Sequence, residues 1–369
     1  MSGGIHLHEI REGLARLLVP DVPTGKGPGK FVGLPFYNPT MEKNRDMTVL
    51  LLKALNRPGI SVFDGLAATG AMGIRVALEA PETRVTCNDH SSNAASLVQR
   101  NAELNGVKLE AVITSRFQAH LSSASYEFID MDPFGTPAPY VDSAFQAAPR
   151  DGIVAVTATD TAVLCGAQKK TCIRRYEARP LHIDCCKEIG LRILIGFCVR
   201  NAARYDRAAT PLLSISSDHY FRVFMITEHG AKAADDVLSN LGYVSYDHDT
   251  GERRLTGEKD LENEWAGPLW VGDLADNELV ARLTPAYYMR HPTSQLVEQL
   301  KGEAKSPPLF VTSEFLARLT SSSPPPMERF LDRLKEAGFI AKRTHIDPGG
   351  VKTDAPWSDL VRLYRDLSG

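Results

Sequence analysis

An aspartate at the end of an apolar run, followed at once by a rigid turn, is the arrangement with the clearest chemical use: Phe128-Ile129-Asp130-Met131-Asp132-Pro133-Phe134-Gly135. The run reads as a buried strand, and Asp132 falls where that strand should end. In an open parallel sheet, ligands sit outside the carboxyl ends of the strands, so Asp132 and the ring of Phe134 are expected to face whatever is bound. A carboxylate in that position can accept a hydrogen bond from an exocyclic amine and take up its proton as a new bond forms on nitrogen. The plainer alternative makes Asp132 a helix cap and Phe134 a core ring.

A second chemical set lies upstream. Ser61-Val62-Phe63-Asp64-Gly65 is a short strand ending in Asp-Gly, and glycines at 65, 70 and 73 let the backbone turn sharply and approach a nucleoside at the start of a helix. Residues 84 to 89 form another strand ending in an acid, Asp89, at about the 20-residue interval where such a carboxylate meets ribose hydroxyls. Ser91, Ser92 and Asn93 leave helix capping open for Asp89 as well. The glycine spacing is not G-x-G-x-x-G, which counts against a dinucleotide. Earlier still, Leu34-Pro35-Phe36-Tyr37-Asn38-Pro39 is an aromatic turn whose prolines exclude regular helix. Phe36 could cover the second face of a base stacked on Phe134, and the Gly- and Lys-rich stretch 24 to 30 could close over a ligand.

These residues need a sheet to hold them. Apolar runs place strands at 61–65, 84–89, 109–114, 126–131, 153–160, 192–199 and 220–227, with helices at 41–55, 76–79, 92–105, 138–148 and 180–190. Residues 201–218 read as a polar loop, so the seventh strand is expected to return antiparallel beside the sixth. Seven strands with the last one reversed make an α/β fold of the class I methyltransferase kind, Rossmann-like but distinct from dinucleotide-binding domains. That places a catalytic domain at 1–230. Residues 231–369 form a smaller α+β unit, expected to be winged-helix-like from helices at 293–301, 312–319 and 324–337 followed by a strand and turn.

Bulk properties limit the setting. A chain of 369 residues exceeds one typical domain, and 43% hydrophobic with 24% charged residues is ordinary for a soluble globular protein. No window approaches the roughly 18 apolar residues of a membrane span, and residues 1–12 lack a signal-peptide pattern. A cytoplasmic protein, with no membrane partner, is expected. The six cysteines contain no C-x-x-C pair and read as buried free thiols, so no metal is expected. Net charge is −3, yet residues 165–207 carry ten Lys/Arg against four acids, a local balance of +6. Nucleic-acid binding needs such a local face rather than overall basicity, although a solvated helix face is the commoner origin of one. Residues 231–369 hold seventeen Lys/Arg and twenty-two acids.

The strings Phe36-Tyr37-Asn38-Pro39 with Asn44-Arg45-Asp46, Asp64-Gly65 through Thr69-Gly70 to Gly73-Ile74-Arg75, Asn88-Asp89, Ile129 to Gly135, Thr157-Ala158-Thr159-Asp160, Ser217 to Arg222, Gly267-Pro268-Leu269-Trp270 and Lys352 to Pro356 span almost the whole chain. In this order they resemble the tRNA guanine N2-dimethyltransferase family, in an archaeal-like form. The resemblance implies S-adenosyl-L-methionine as cofactor and tRNA as partner, with one or two methyl groups added to the N2 amine of a guanine, usually at position 26. It implies Asp132 as the catalytic carboxylate and Phe36 and Phe134 as base-holding aromatics, with Pro133 between the two site residues of the turn. Arg45, Arg75 and Asp89 are implied around the cofactor, beside the turn formed by Asp64, Gly65 and Gly70. Where relatives carry Asp-Ala after the third strand, this chain has Arg116-Phe117-Gln118, so adenine is expected to meet backbone groups or Phe117. Met72 stands where an arginine is common, and the four-cysteine zinc site of many relatives has no counterpart in residues 247–264. A monomer is expected. Two other readings remain open at this level: a class I methyltransferase acting on a protein amide or DNA base, and a catalytically weak tRNA-binding scaffold.

Overall fold

The computed structural model describes residues 6–21, 35–80 and 82–368; the expected closing loop at 24–30 lies outside them. The chain begins with a hairpin, β1 (Leu7–Glu12) and β2 (Ala15–Pro20), and then helix α1 (Glu42–Leu55). Alternation follows: β3 (Ser61–Asp64), α2 (Ala71–Glu79), β4 (Arg84–Asp89), α3 (Ser92–Leu104), β5 (Ala111–Thr114), α4 (Phe117–Leu121), β6 (Phe128–Met131), α5 (Val141–Ala147) and β7 (Ile153–Ala158). Three helices come next, α6 (Thr161–Leu164), α7 (Lys169–Tyr176) and α8 (Cys186–Ala203), before the long pair β8 (Arg207–Ser217) and β9 (Tyr220–His229).

These strands form one seven-stranded sheet in the order β5-β4-β3-β6-β7-β9-β8, in which β9 runs antiparallel to both its neighbours. Strand order reverses between β3 and β6, which pair directly and in parallel, and a ligand crevice opens at the carboxyl ends of strands at such a point. Side-chain alternation along β6 and β7 divides the core between the two faces of the sheet. Phe128, Ile153 and Ala155 pack with α1 and α2, whereas Ile129, Met131, Val154 and Val156 pack with α5 and α8.

Two assignments within the sheet differ from the sequence reading. Residues 192–199 are not the sixth strand but the middle of α8, an 18-residue helix buried on nearly all sides. The sixth strand is β8, in the stretch read as polar loop. An apolar run buried on all sides has no period that separates strand from helix, and Pro211 lowers the strand signal of β8. The proline is accommodated at a register shift between Pro211 and Leu213, on the outermost strand.

Beyond the sheet come α9 (Ala231–Leu238) and a three-stranded sheet of β10 (Leu241–Tyr246), β11 (Arg253–Thr256) and β12 (Glu264–Trp270). Val244, Ala266 and Leu269 share the core that contains α8. After α10 (Asn277–Arg282) and α11 (His291–Glu303), the chain builds β13 (Val311–Thr312), α12 (Ser313–Thr320), α13 (Met327–Glu336), β14 (Ala341–Arg343), β15 (Gly350–Thr353) and α14 (Trp357–Ser368). The order helix, strand, two helices and a two-strand wing, with β15 between β13 and β14, is that of a winged helix; α14 was not anticipated. This unit has its own core around Phe330, Leu334 and Tyr364.

Buried ion pairs tie the winged unit to the rest. Lys352 of β15 lies 3.2 Å from Glu188 of α8 and 2.9 Å from Glu303 of α11, and Arg192 pairs with Glu188 at 2.9 Å. Thr293 of α11 donates to Asp46 of α1. Among the described residues, no helix is long and apolar enough to cross a membrane.

Candidate active site

The turn after β3 is shaped by what its glycines avoid. A Cβ on Gly73 would come within 2.3 Å of Cys87 Sγ, so only glycine lets α2 sit this close to β4. The Gly73 amide donates to Asp64 Oδ2 at 2.9 Å, fixing the start of α2 against the end of β3. At the end of β4, Asp89 accepts from the Ala68 amide at 3.0 Å and the Ser91 amide at 2.9 Å. Asp89 therefore braces the turn against the start of α3 and also faces the space between them.

The end of β6 supplies the second wall. Asp130 is buried and held by Arg222 of β9, whose guanidinium reaches its two oxygens at 3.2 and 2.6 Å and also donates to Thr157 and Thr48. Asp132, half-buried, accepts from Asn44 Nδ2 at 3.2 Å. Burial, opposed by Arg222 and reinforced by the Asp130 carboxylate, pushes the Asp132 carboxyl up to about 6. Asp64 is pushed up further, to about 8, by burial and then by Asp130, against the pull of the Gly73 amide. One arginine does not neutralise this group of carboxylates. The Pro133-Phe134-Gly135 turn is clipped to the end of β7: Gly135, at φ 78°, donates to Thr159 Oγ1 at 2.8 Å, and the Thr159 amide donates back to Gly135 O at 2.9 Å. Phe134 is 53% exposed. Its ring meets Phe36 edge-on, with centroids 5.1 Å apart.

These elements enclose one cavity of about 350 Å³. Of the residues expected from the sequence, Phe36, Arg45, Asp64, Asp89, Asp132, Pro133 and Phe134 line it. Gly65, Gly70, Arg75 and Phe117 do not. Arg75 is fully buried, paired with Glu12, Asp46 and Glu79, and serves to lock the N-terminal hairpin, α1 and α2 together. Phe117 packs beneath Gly65, where a Cβ would lie 2.3 Å from its ring, and reaches the cavity only through edge contact with Tyr140. Arg45 lines the wall but its guanidinium is engaged by Glu12 and Asn38 O. The paired aromatics also differ from expectation. A flat base between two rings needs two contact spacings of about 3.5 Å each, more than the 5.1 Å seen, so Phe36 and Phe134 must part to admit one.

Sequence reasoning gave no role to Asn44, Thr159, Tyr140, Arg222 or the β8–β9 turn, although Asp218, His219 and Tyr220 of that turn line the cavity. The string Ser217 to Arg222 was the available signal. What it lacked was the position of β8, without which the turn could not be placed beside β6. Among the described residues, no group of three or more His, Cys, Asp or Glu is arranged to hold a metal ion.

Comparison with known proteins gives a consistent result. The family model described as N2,N2-dimethylguanosine tRNA methyltransferase matches residues 26–365. The tRNA (guanine(26)-N(2))-dimethyltransferase of Thermococcus kodakarensis is 38% identical, covering 98% of this chain and 100% of the relative. That of Methanococcus maripaludis is 36% identical, covering 97% and 98%. Among solved structures, Trm1 from Pyrococcus horikoshii in complex with S-adenosyl-L-methionine superposes with a TM-score of 0.86 at 36% identity, covering 97% of this chain and 99% of the other.

Proposed function

Because the chain belongs to the N2,N2-dimethylguanosine tRNA methyltransferase family, we propose that the cavity between β3, β4 and β6 is where it methylates the N2 amine of a tRNA guanine at position 26, with Asp132 as the base. The observation that carries this reading is Asp132 itself: a carboxyl at the mouth of the switch-point crevice, pushed up to about 6 and aimed by a buried amide.

The residues present suit a cationic nucleoside cofactor. The wall holds more carboxylate than guanidinium, and the Asp64 carboxyl, pushed up by burial first and by the neighbouring Asp130 next, would be relieved of the second effect by a positive ligand. Asp64, Asp89 and the turn at 66–69 would hold S-adenosylmethionine, which when bound supplies an electrophilic methyl group. Asp132 is ionised at neutral pH yet basic enough to accept a proton. By accepting a hydrogen bond from the guanine N2–H, it localises the nitrogen lone pair and then takes up the proton. Asn44 keeps the carboxylate turned toward the cavity. Phe134, exposed at the mouth, offers its face to the extruded base, a contact that contributes roughly 1 to 3 kcal/mol. Residues 311–368 would seat the body of the tRNA.

The test is incubation with labelled S-adenosylmethionine and an unmodified tRNA transcript, followed by mass spectrometry of the nucleosides. N2-methyl- and N2,N2-dimethylguanosine are expected. Asp132→Ala should lower kcat by at least about 10²-fold with cofactor binding retained. Methylation at another atom, or near-full activity in Asp132→Ala, would overturn the assignment.

A further inference from the structure

The basic run at 165–207 can be resolved residue by residue. Arg200 donates to Tyr176 O and Pro268 O, and Arg207 to Phe145 O. Lys169, Arg175, Arg179, Lys187, Arg192 and Arg204 each face a carboxylate. Of the ten cations, Lys170 and Arg174 alone have neither a carboxylate nor a carbonyl partner among the described residues, and both are exposed on α7. They stand one turn apart. Beside them on the same face is Ile173, an apolar side chain 47% exposed.

The placement of α7 gives this face a purpose. Its last residue, Tyr176, is buried, and its hydroxyl donates to Asp160 Oδ1 at 2.5 Å while accepting from Thr136 Oγ1 at 3.0 Å. Thr136 directly follows Gly135, and Asp160 directly follows Thr159, the two residues that clip the Phe134 turn to β7. The α7 face is thus anchored, through one tyrosine, to the segment that presents the target ring.

We infer that α7 is an RNA-contact element of this same site: Lys170 and Arg174 bind phosphates flanking the target guanine, and Ile173 wedges into the stack that the extruded base leaves. This rests on the proposed function. Backbone phosphates are held by free cations, and apolar side chains flanked by cations are used to hold bases apart when a nucleic acid is opened. A solvated helix face would account for the charges and for a single exposed isoleucine; what sets this face apart is the Tyr176 anchor that fixes it to the Phe134 turn.

The experiment uses the full chain and two tRNA transcripts, one ordinary and one with an abasic site next to the target guanine so that the base is already unstacked. For Lys170→Glu/Arg174→Glu, tRNA affinity is expected to fall at least tenfold, and the slope of log K against log salt to shrink by about 1 per lost contact. For Ile173→Ala, kcat on ordinary tRNA is expected to fall about tenfold with KM nearly unchanged, and to recover on the abasic transcript. Cofactor affinity and melting temperature of both variants should match wild type. Unimpaired affinity in the charge-reversed variant overturns the phosphate assignment. An Ile173→Ala defect of equal size on both transcripts, or a melting temperature lowered enough to explain it, overturns the wedge. A wild-type protein that fails to methylate tRNA would instead remove the proposed function, so the two failures are separable.

Discussion

Asn44 is buried in α1 and spends one amide group on two acceptors, Asp132 at 3.2 Å and Thr157 at 3.5 Å. It does not itself line the cavity, so its influence on the reaction would pass through Asp132. With the ionised carboxylate as the proposed base, kcat is expected to rise with pH through about 6 and level off above it. Asn44→Asp exchanges a donor for a like charge, which raises the proton affinity of Asp132 and should move that midpoint to higher pH. Asn44→Ala should lower kcat by about 10²-fold through lost aim, with a smaller effect on KM for tRNA. Steady-state rates across the acid range decide this, and an unmoved midpoint in Asn44→Asp would dismiss the role. The place of Asp132 at the cavity was legible because an acid ending a strand of a parallel sheet falls at the crevice edge. Asn44 was not, because an asparagine within a helical pattern carries no sign of which strand end it will meet 88 residues later.

The elements differ in how much they disclose. Strands β3 to β7 and their glycine turn were readable because each short apolar run is bounded by turn residues and needs only local pattern. Helix α8 was misread because both faces are buried; it packs so closely that a Cβ on Gly196 would lie 3.1 Å from the Leu269 backbone. Phe117 was placed at the cofactor because Arg116-Phe117-Gln118 stands where relatives carry an acid, whereas the structure packs its ring beneath the bare face of Gly65. The same logic of close approach makes Gly73 the sensitive point of the turn. Gly73→Ala forces a methyl into Cys87 Sγ and displaces the amide that holds Asp64. A stability loss of about 1 to 3 kcal/mol by denaturant titration is expected, with cofactor affinity reduced more than tRNA affinity measured alone. Equal affinity for cofactor in the variant would show that the turn is not the binding element.

Across the molecule, Lys352 joins the winged unit to α8 and α11 through two buried carboxylates, Glu188 and Glu303. Burial alone would push the Glu188 carboxyl up, yet Lys352 and Arg192 outweigh it and hold the group below its ordinary value. Lys352→Met leaves two buried acids short of a cation and should cost about 3 to 5 kcal/mol, read as a lowered unfolding midpoint. Lys352 was legible only as the start of the string Lys352 to Pro356; its burial follows from the packing of β15 against α8, which local pattern does not encode. The Thr293–Asp46 contact adds a second fastening, between α11 and the helix that carries Asn44. The consequence concerns measurement. Two fastenings on different helices hold the span from the winged unit to Asp132, and if the winged unit grips the RNA as proposed, the pocket would receive whichever guanine lies at that distance. On that reading the protein would work as a gauge, choosing a nucleotide by its place in the tRNA shape and not by the letters beside it, and Lys352→Met should blur the graduation by letting neighbouring guanines acquire methyl groups.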